Sequence, residues 1–216
     1  MFEFFIAAIV VGIAPGPDNL FVLSQSATFG MRAGIYVILG LCTGIALQTC
    51  LLVAGVSALI AASPVAFFVM QCLGASYLLY LAYKSFQVRV GNVLVEKEDR
   101  NTSAKEDDKV YQKNLISGRK LYLRGIIMNM TNPKAVLFLL SFIPPAVKMD
   151  SPIHPSLQTA ILGAEFIVAT MIVFGSVAVL AGTVKKFLLR SPKANRNLNW
   201  FSGIVFVFLA FALFLV

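Results

Sequence analysis

The residues of this sequence best suited to chemistry lie at a break in an apolar stretch. Residues 4–23 are apolar except for the segment Ala14-Pro15-Gly16-Pro17-Asp18-Asn19. Two prolines and a glycine interrupt the backbone hydrogen bonds that a membrane-length helix requires, and a carboxylate and an amide follow them. In hydrocarbon such a break survives only where protein or a water-filled cavity satisfies the freed backbone groups. The segment therefore predicts the working part of a transporter.

A second break of the same kind lies in the other half of the chain, at Asn129-Met130-Thr131-Asn132-Pro133-Lys134. Interrupted helices at corresponding places in two halves indicate inverted repeats with a binding site between them. The N-termini of half-helices favour a carboxylate, and freed carbonyls can hold an ammonium group. The paired breaks therefore predict a site for an amphoteric solute such as an amino acid.

The residues of the two breaks allow more than one interpretation. Asp18 either couples protons or contacts substrate, as an ionisable group inside a span often does, or it caps the half-helix that follows Pro17. Asn19 and Asn132 either contact a ligand or only satisfy freed backbone. The other members of the predicted site give the breaks their shape: Pro15, Gly16, Pro17, Asn129 and Pro133.

Three polar residues complete the predicted substrate-binding or coupling site. Glu165 either carries a proton or pairs with Lys134, or else it lies close to the outer membrane interface. Lys134 either attracts a carboxylate, or it pairs or extends towards the interface. Gln48 is interpreted first as an amide that packs two helices together.

Composition places the chain in the membrane. Of its 216 residues 58% are hydrophobic and only 13% are charged, with a mean hydropathy of +0.83. This is far more apolar than soluble domains are, and the length suits about six spans of roughly 20 residues. The net charge of +8 lies mostly in loops beside apolar spans. Anionic lipid headgroups and topology explain it better than nucleic acid does.

The predicted fold is an all-α membrane protein of six transmembrane helices arranged as two inverted three-helix repeats, with helices 1 and 4 broken by proline. A first repeat covers residues 1–86, a polar cytoplasmic linker 87–120, and a second repeat 121–216. Residues 28–36 are interpreted as a short turn. The predicted spans are residues 4–24, 37–60, 65–86, 121–143, 157–184 and 198–216.

Charge distribution predicts the orientation. Sixteen of the eighteen Lys and Arg residues fall in odd-numbered loops, and Lys148 is the single basic residue of the even-numbered ones. Since cytoplasmic loops carry the excess of basic residues, the linker 87–120 is predicted to be cytoplasmic. Both termini are then outside, in a multi-pass protein of a bacterial-type inner (plasma) membrane.

The chain resembles the LysE/RhtB family of amino-acid exporters over essentially all six spans. The motifs that carry the resemblance are A-P-G-P-D-N at 14–19, L-G-A-S-Y-L-L-Y-L-A at 73–82, G-I-I-M-N-M-T-N-P-K-A at 125–135, and the glycines at 30, 34, 40 and 44. The chain departs from the family pattern at Pro145 and Ala210, which leaves the substrate open.

This resemblance implies a secondary exporter of amino acids or close derivatives, of the homoserine, threonine or lysine type. It implies alternating access driven by the proton gradient, and no bound cofactor. The partners are then the amino-acid substrate, protons and the lipid bilayer, and glycine-rich helix faces permit a homodimer.

Two other functions are weaker. A metal-cation exporter needs several carboxylates or clustered His and Cys ligands. The spans hold few carboxylates and no such cluster, so no metal site is predicted. A membrane thiol oxidoreductase needs a facing cysteine pair, and none of the three cysteines adjoins a break: Cys42, Cys50 and Cys72. The sequence also lacks an intramembrane Ser/His/Asp set and the HExxH motif, so no enzyme is predicted.

Overall fold

The computed structural model describes residues 2–62, 64–87, 117–148, 150–181, 183, 192–212 and 214, and these are all helical or connect helices. Most of the predicted linker and of the loop before the last span lies outside the described residues. The described helices are α1 (Phe2–Ile13), α2 (Pro17–Phe29), α3 (Met31–Ala62), α4 (Pro64–Gln87), α5 (Gly118–Thr131), α6 (Pro133–Ala146), α7 (Pro155–Val179) and α8 (Pro192–Ala212).

Proline sets where most of these helices begin. Five of the eight described helices start at a proline, which has no N–H and a fixed φ and is therefore suited to the first helical position. These prolines are Pro17, Pro64, Pro133, Pro155 and Pro192. The same residue type that breaks the first and fourth predicted spans thus also starts the helices after the breaks.

Both predicted breaks are present as bends. Helices α1 and α2 meet at 61° and α5 and α6 at 56°. Two helical segments, Met31–Gly55 and Pro155–Val179, are long and apolar enough to cross a membrane, and each bent pair also qualifies when counted as one span. The described residues therefore contain two to four candidate spans, as expected of a membrane protein. The apolar part of α8, Asn199–Phe211, is shorter.

The predicted turn over residues 28–36 is wrong. Only Gly30 separates α2 from α3, and the helix resumes at Met31. Gly30 has φ +86°, a conformation that glycine adopts readily, so one residue is enough to redirect the chain. The fourth predicted span is also longer than expected, since helix extends from Gly118 to Ala146 apart from the break.

The long helices α3 and α7 form the centre of the fold. Helix α3 packs against α5 and α7, α7 packs against α1, and α4 packs against α8. Contact between α3 and α5 is closest at Gly40 and Gly125, where an added Cβ would overlap the carbonyls of Tyr122 and Val37. Glycine at both positions lets the two helix backbones approach closely, and α3 is continuous through Gly40.

Two apolar clusters fill the interior. The first apolar cluster joins side chains of α1, α3, α4, α6, α7 and α8, and within it the Phe138 ring lies 5.5 Å from Phe4 and 5.1 Å from Phe166. The second apolar cluster joins α2, α3, α5 and α7 around Val22 and Phe174. The first cluster reaches the first break, since it includes Ala14.

Replacing Gly40 with alanine is expected to destabilise the protein. The new methyl group would meet backbone atoms of α5, and overpacking costs about 1 to 3 kcal/mol. Gly175→Ala is the matched control, since a Cβ there meets nothing within 4 Å. Thermal unfolding in detergent should show a lower Tm for Gly40→Ala alone. Equal Tm values would contradict the close approach of α3 and α5.

Candidate functional site

The two breaks meet in the interior of the protein. Asn132 Nδ2 donates a hydrogen bond of 2.6 Å to Asp18 Oδ2, and these side chains are only 4% and 3% exposed. The residues come from opposite halves of the sequence, 114 positions apart. The structure therefore brings together the two segments that the sequence singled out.

The first break frees carbonyls of α1. Pro15 has no N–H, so it cannot donate to Val11 O as the next helical turn would require. Lys134 Nζ donates to this oxygen at 3.1 Å and to Ala14 O at 2.9 Å. Asn19 Nδ2 donates to Gly12 O at 2.7 Å. Asn19, which follows the break, and Lys134, which comes from the other half of the chain, thus replace the missing helix hydrogen bonds.

The second break is repaired in a parallel way. Pro133 has no N–H for Asn129 O, and this oxygen accepts from Gln48 Nε2 at 3.1 Å and from the backbone N–H of Asn132 at 3.0 Å. Gln48 also lies 3.3 Å from the side-chain oxygen of Asn129. Gln48 therefore packs α3 against α5, as predicted, and it does so at a freed carbonyl. In each break a side chain from the other half satisfies the carbonyl that proline leaves free.

The interpretation of Asp18 as a helix cap is wrong. The N-cap of α2 is Gly16, which has no side chain, and no side-chain hydrogen bond caps this helix. Helix α6, in contrast, is capped by Asn132, whose Oδ1 accepts from the backbone N–H of Lys134 at 3.0 Å. Asn132 thus uses both ends of its amide, one for its own helix and one for Asp18.

The charges of the site stand at equivalent positions of the two halves. Asp18 follows the proline that starts α2, and Lys134 follows the proline that starts α6. Both side chains are buried and they interact electrostatically. Lys134 therefore does not extend to the interface, which corrects that interpretation. Asp18 Oδ1 has no hydrogen-bond partner among the described residues, and a buried carboxylate oxygen of this kind can receive a donor.

Gly16 is required here by space and not by conformation. Its φ of −160° is extended backbone that any residue adopts. A Cβ at this position would lie 3.0 Å from Lys134 Nζ and 3.5 Å from Lys134 Cε. The glycine therefore leaves room for the lysine that crosses from the other half.

A small cavity adjoins the charged pair. Its volume is about 20 Å³, room for about one water molecule, whereas sites for small organic ligands measure about 300–1,000 Å³. Residues of both apolar clusters line it. The lining residues include Val11, Asp18, Asn129, Lys134, Phe166 and Thr170.

Three of the predicted members line the cavity, Asp18, Asn129 and Lys134, and the structure adds others. Glu165 is partly buried on α7 but is not among the lining residues, and the hydrogen bonds of the Lys134 ammonium group go to α1 carbonyls. The predicted pairing of Glu165 with Lys134 is therefore not formed. Sequence reasoning missed Phe166, Thr170 and Phe174, which share a face of α7 because they are four residues apart.

The comparison with known families decides the kind of protein. A sequence profile described as LysE type translocator matches residues 9–216. The chain belongs to the LysE type translocator family. This confirms the resemblance noted in the sequence, and it makes the protein a transporter and not an enzyme.

Two relatives show how this LysE type translocator compares with curated proteins. It is 30% identical over 202 residues to the "Uncharacterized membrane protein YrhP" of Bacillus subtilis (strain 168), covering 94% of this chain and 91% of that protein. It is 28% identical over 204 residues to the "Leucine efflux protein" of Salmonella choleraesuis (strain SC-B67), covering 94% and 89%. No solved structure matches the chain.

Replacing Asn132 with alanine is expected to destabilise the translocator. The change removes the cap of α6, worth about 1 kcal/mol, and the donor to a buried carboxylate, worth about 1 to 3 kcal/mol. Thr131→Ala is the control, because that exposed hydroxyl bonds only to carbonyls of its own helix. Unfolding should occur at lower temperature for Asn132→Ala than for Thr131→Ala. If both variants unfold together, Asn132 does not hold the breaks in contact.

Proposed function

We propose that this LysE type translocator is a secondary exporter of amino acids that works by alternating access between two inverted three-helix repeats. The observation that carries the proposal is the meeting of two broken helices with Asp18 and Lys134 at equivalent positions. The relative named as a leucine efflux protein supports an amino acid as the solute.

Helix packing supports two inverted repeats. If α1–α4 correspond to α5–α8, the contact of α3 with α5 has its counterpart in the contact of α7 with α1. The contact of α2 with α7 likewise corresponds to that of α6 with α3, while α3 with α7 and α4 with α8 correspond to themselves. This pattern fits six spans, with the first repeat in residues 1–86, the second in 121–216 and the linker 87–120 between them.

The chemistry of the site fits a zwitterion. Asp18 Oδ1 is buried without a hydrogen-bond partner among the described residues, so it suits an ammonium group. The N-terminus of α2 has no side-chain cap, and its N–H groups and dipole favour a carboxylate. An amino acid brings both groups on one carbon, which matches the short distance between these features.

Transport requires this cavity to open on each side in turn. The cavity of about 20 Å³ is too small for an amino acid, so substrate entry must separate the helices around it. Residues of both apolar clusters line the cavity, so opening would separate side chains of these clusters while α3 and α5 stay in contact through their glycines.

Charge supports the proposed orientation in a bacterial-type inner membrane. Lys84 near the end of α4 is exposed, as are three basic residues in the first two turns of α5: Arg119, Lys120 and Arg124. Basic residues at this end favour the cytoplasm, which puts both termini outside. A substrate that enters from the cytoplasm would then leave at the opposite end of the protein.

The two alternatives gain no support from the site. A lysine ammonium group lines the cavity, and it would repel a metal cation. Cys42, Cys50 and Cys72 lie on α3 and α4 and do not line the cavity.

Export should be lost in Asp18→Asn. Cells loaded with dipeptides of each amino acid should release at least one amino acid faster when the wild-type protein is expressed. Asp18→Asn should reduce this release about tenfold or more, because one charge-assisted bond of about 1.5–3 kcal/mol is removed. Asp150→Asn, an exposed loop carboxylate, is the control and should export normally. If the wild type releases no amino acid, the proposed function fails.

Proton coupling through Asp18 makes a separate prediction. In proteoliposomes, an imposed pH gradient should drive the exported amino acid against its concentration gradient with the wild type. Asp18→Asn should retain at most exchange that ignores the gradient, because an amide does not titrate. Wild-type transport that ignores a pH gradient would refute the coupling while leaving amino-acid export intact.

A further inference from the structure

The ammonium group of Lys134 lies in a site made of acceptors from the first half of the chain. It donates to Ala14 O at 2.9 Å and to Val11 O at 3.1 Å, and it interacts electrostatically with Asp18. Two carbonyl oxygens beside a carboxylate are the acceptors that an ammonium group requires, because it carries three N–H donors and a positive charge.

Such a site accepts an ammonium group regardless of the molecule to which the group is attached. The side chain of lysine and the backbone of a free amino acid both end in –NH₃⁺, with the same charge and the same donors. Lys134 and Asp18 also line the cavity between the two breaks. Val11 lines it too, so a solute that enters this cavity lies beside the groups that hold the ammonium group of Lys134.

We infer that Val11 O and Ala14 O, beside Asp18, form the subsite for the amino group of the transported solute, and that Lys134 occupies this subsite while the solute is absent. The inference rests on the proposed function. The solute and Lys134 exclude each other, so Lys134 is a built-in competitor. In the empty carrier Lys134 pairs with the carbonyls that proline frees, and it returns to them when the solute leaves.

Gly16 supports this assignment independently. The backbone at Gly16 accepts any residue, yet a methyl group there would lie 3.0 Å from Lys134 Nζ. The space at Gly16 is the space of the ammonium group and its last carbon. Gly16→Ala would therefore push Lys134 away from the carbonyls while both charges of the site remain.

Binding of three ligands distinguishes a Lys134 that competes with the solute's amino group from a Lys134 that binds the solute's carboxylate. Leucine carries both groups, leucinamide carries the amine without the carboxylate, and 4-methylpentanoate carries the carboxylate without the amine. Their binding is measured by calorimetry on the purified full chain in nanodiscs. We expect leucinamide to bind the wild type more tightly than 4-methylpentanoate does.

Removing the competitor should strengthen amine binding. Lys134→Met keeps the length of the side chain without its charge, and it should lower the Kd of leucinamide about tenfold, the effect of losing one charge-assisted bond. Gly16→Ala should instead raise this Kd, because its methyl group would crowd the solute's amino group in the same subsite, and it should leave the binding of 4-methylpentanoate unchanged. This variant tests the inference where Lys134→Met fails to fold. Lys148→Met, at an exposed loop lysine, is the control and should leave the Kd unchanged.

The opposite pattern would overturn the inference. If Lys134→Met weakens leucine and 4-methylpentanoate and does not tighten leucinamide, Lys134 receives the carboxylate. Loss of leucinamide binding in folded Lys134→Met, or unchanged leucinamide binding in folded Gly16→Ala, also overturns it. These outcomes are independent of the export assay. A wild type that exports amino acids while Lys134→Met binds leucinamide no more tightly refutes this inference alone, and a wild type that exports none refutes the proposed function.

Discussion

The structure depends on how carbonyl groups freed by proline are satisfied inside a membrane protein. Pro15 and Pro133 leave Val11 O and Asn129 O without their helical donors, and unpaired carbonyls in hydrocarbon cost several kcal/mol each. Lys134 and Gln48 supply the donors, and each comes from the half of the chain that does not contain the break it repairs. The requirement to pair the backbone therefore also holds the two halves together.

Each half of the chain repairs the break of the other half, but the two breaks use different residue types. The residue after the helix-starting proline is an aspartate in one half and a lysine in the other, and the helix cap is Gly16 in one half and Asn132 in the other. The asymmetry places the carboxylate of Asp18 on the first half and the ammonium group of Lys134 on the second, so the two ends of the site differ in charge.

The same arrangement accounts for why opening is feasible. The apolar clusters consist of packed side chains, whereas the polar layer where the two breaks meet consists of a few hydrogen bonds. Those bonds can be exchanged for bonds to a solute that offers the same groups, so the layer need not be left unpaired during the cycle. The tight glycine contact of α3 with α5 is backbone against backbone, and it suits a part of the fold that moves as one body.

The sequence by itself determined the membrane class, the two breaks and the polar residues at which the breaks meet. Composition and proline act locally, so their effects can be read without knowing the fold. The partner of each group was decided by tertiary structure. Asp18 binds Asn132 and caps no helix, Lys134 is buried against α1 carbonyls, and Glu165 on α7 stays outside the cavity that its neighbour Phe166 lines. These outcomes depend on the rotation of each helix and on which half it faces. A rotation of one residue moves a side chain about 100° around a helix, and only packing against the other half fixes it.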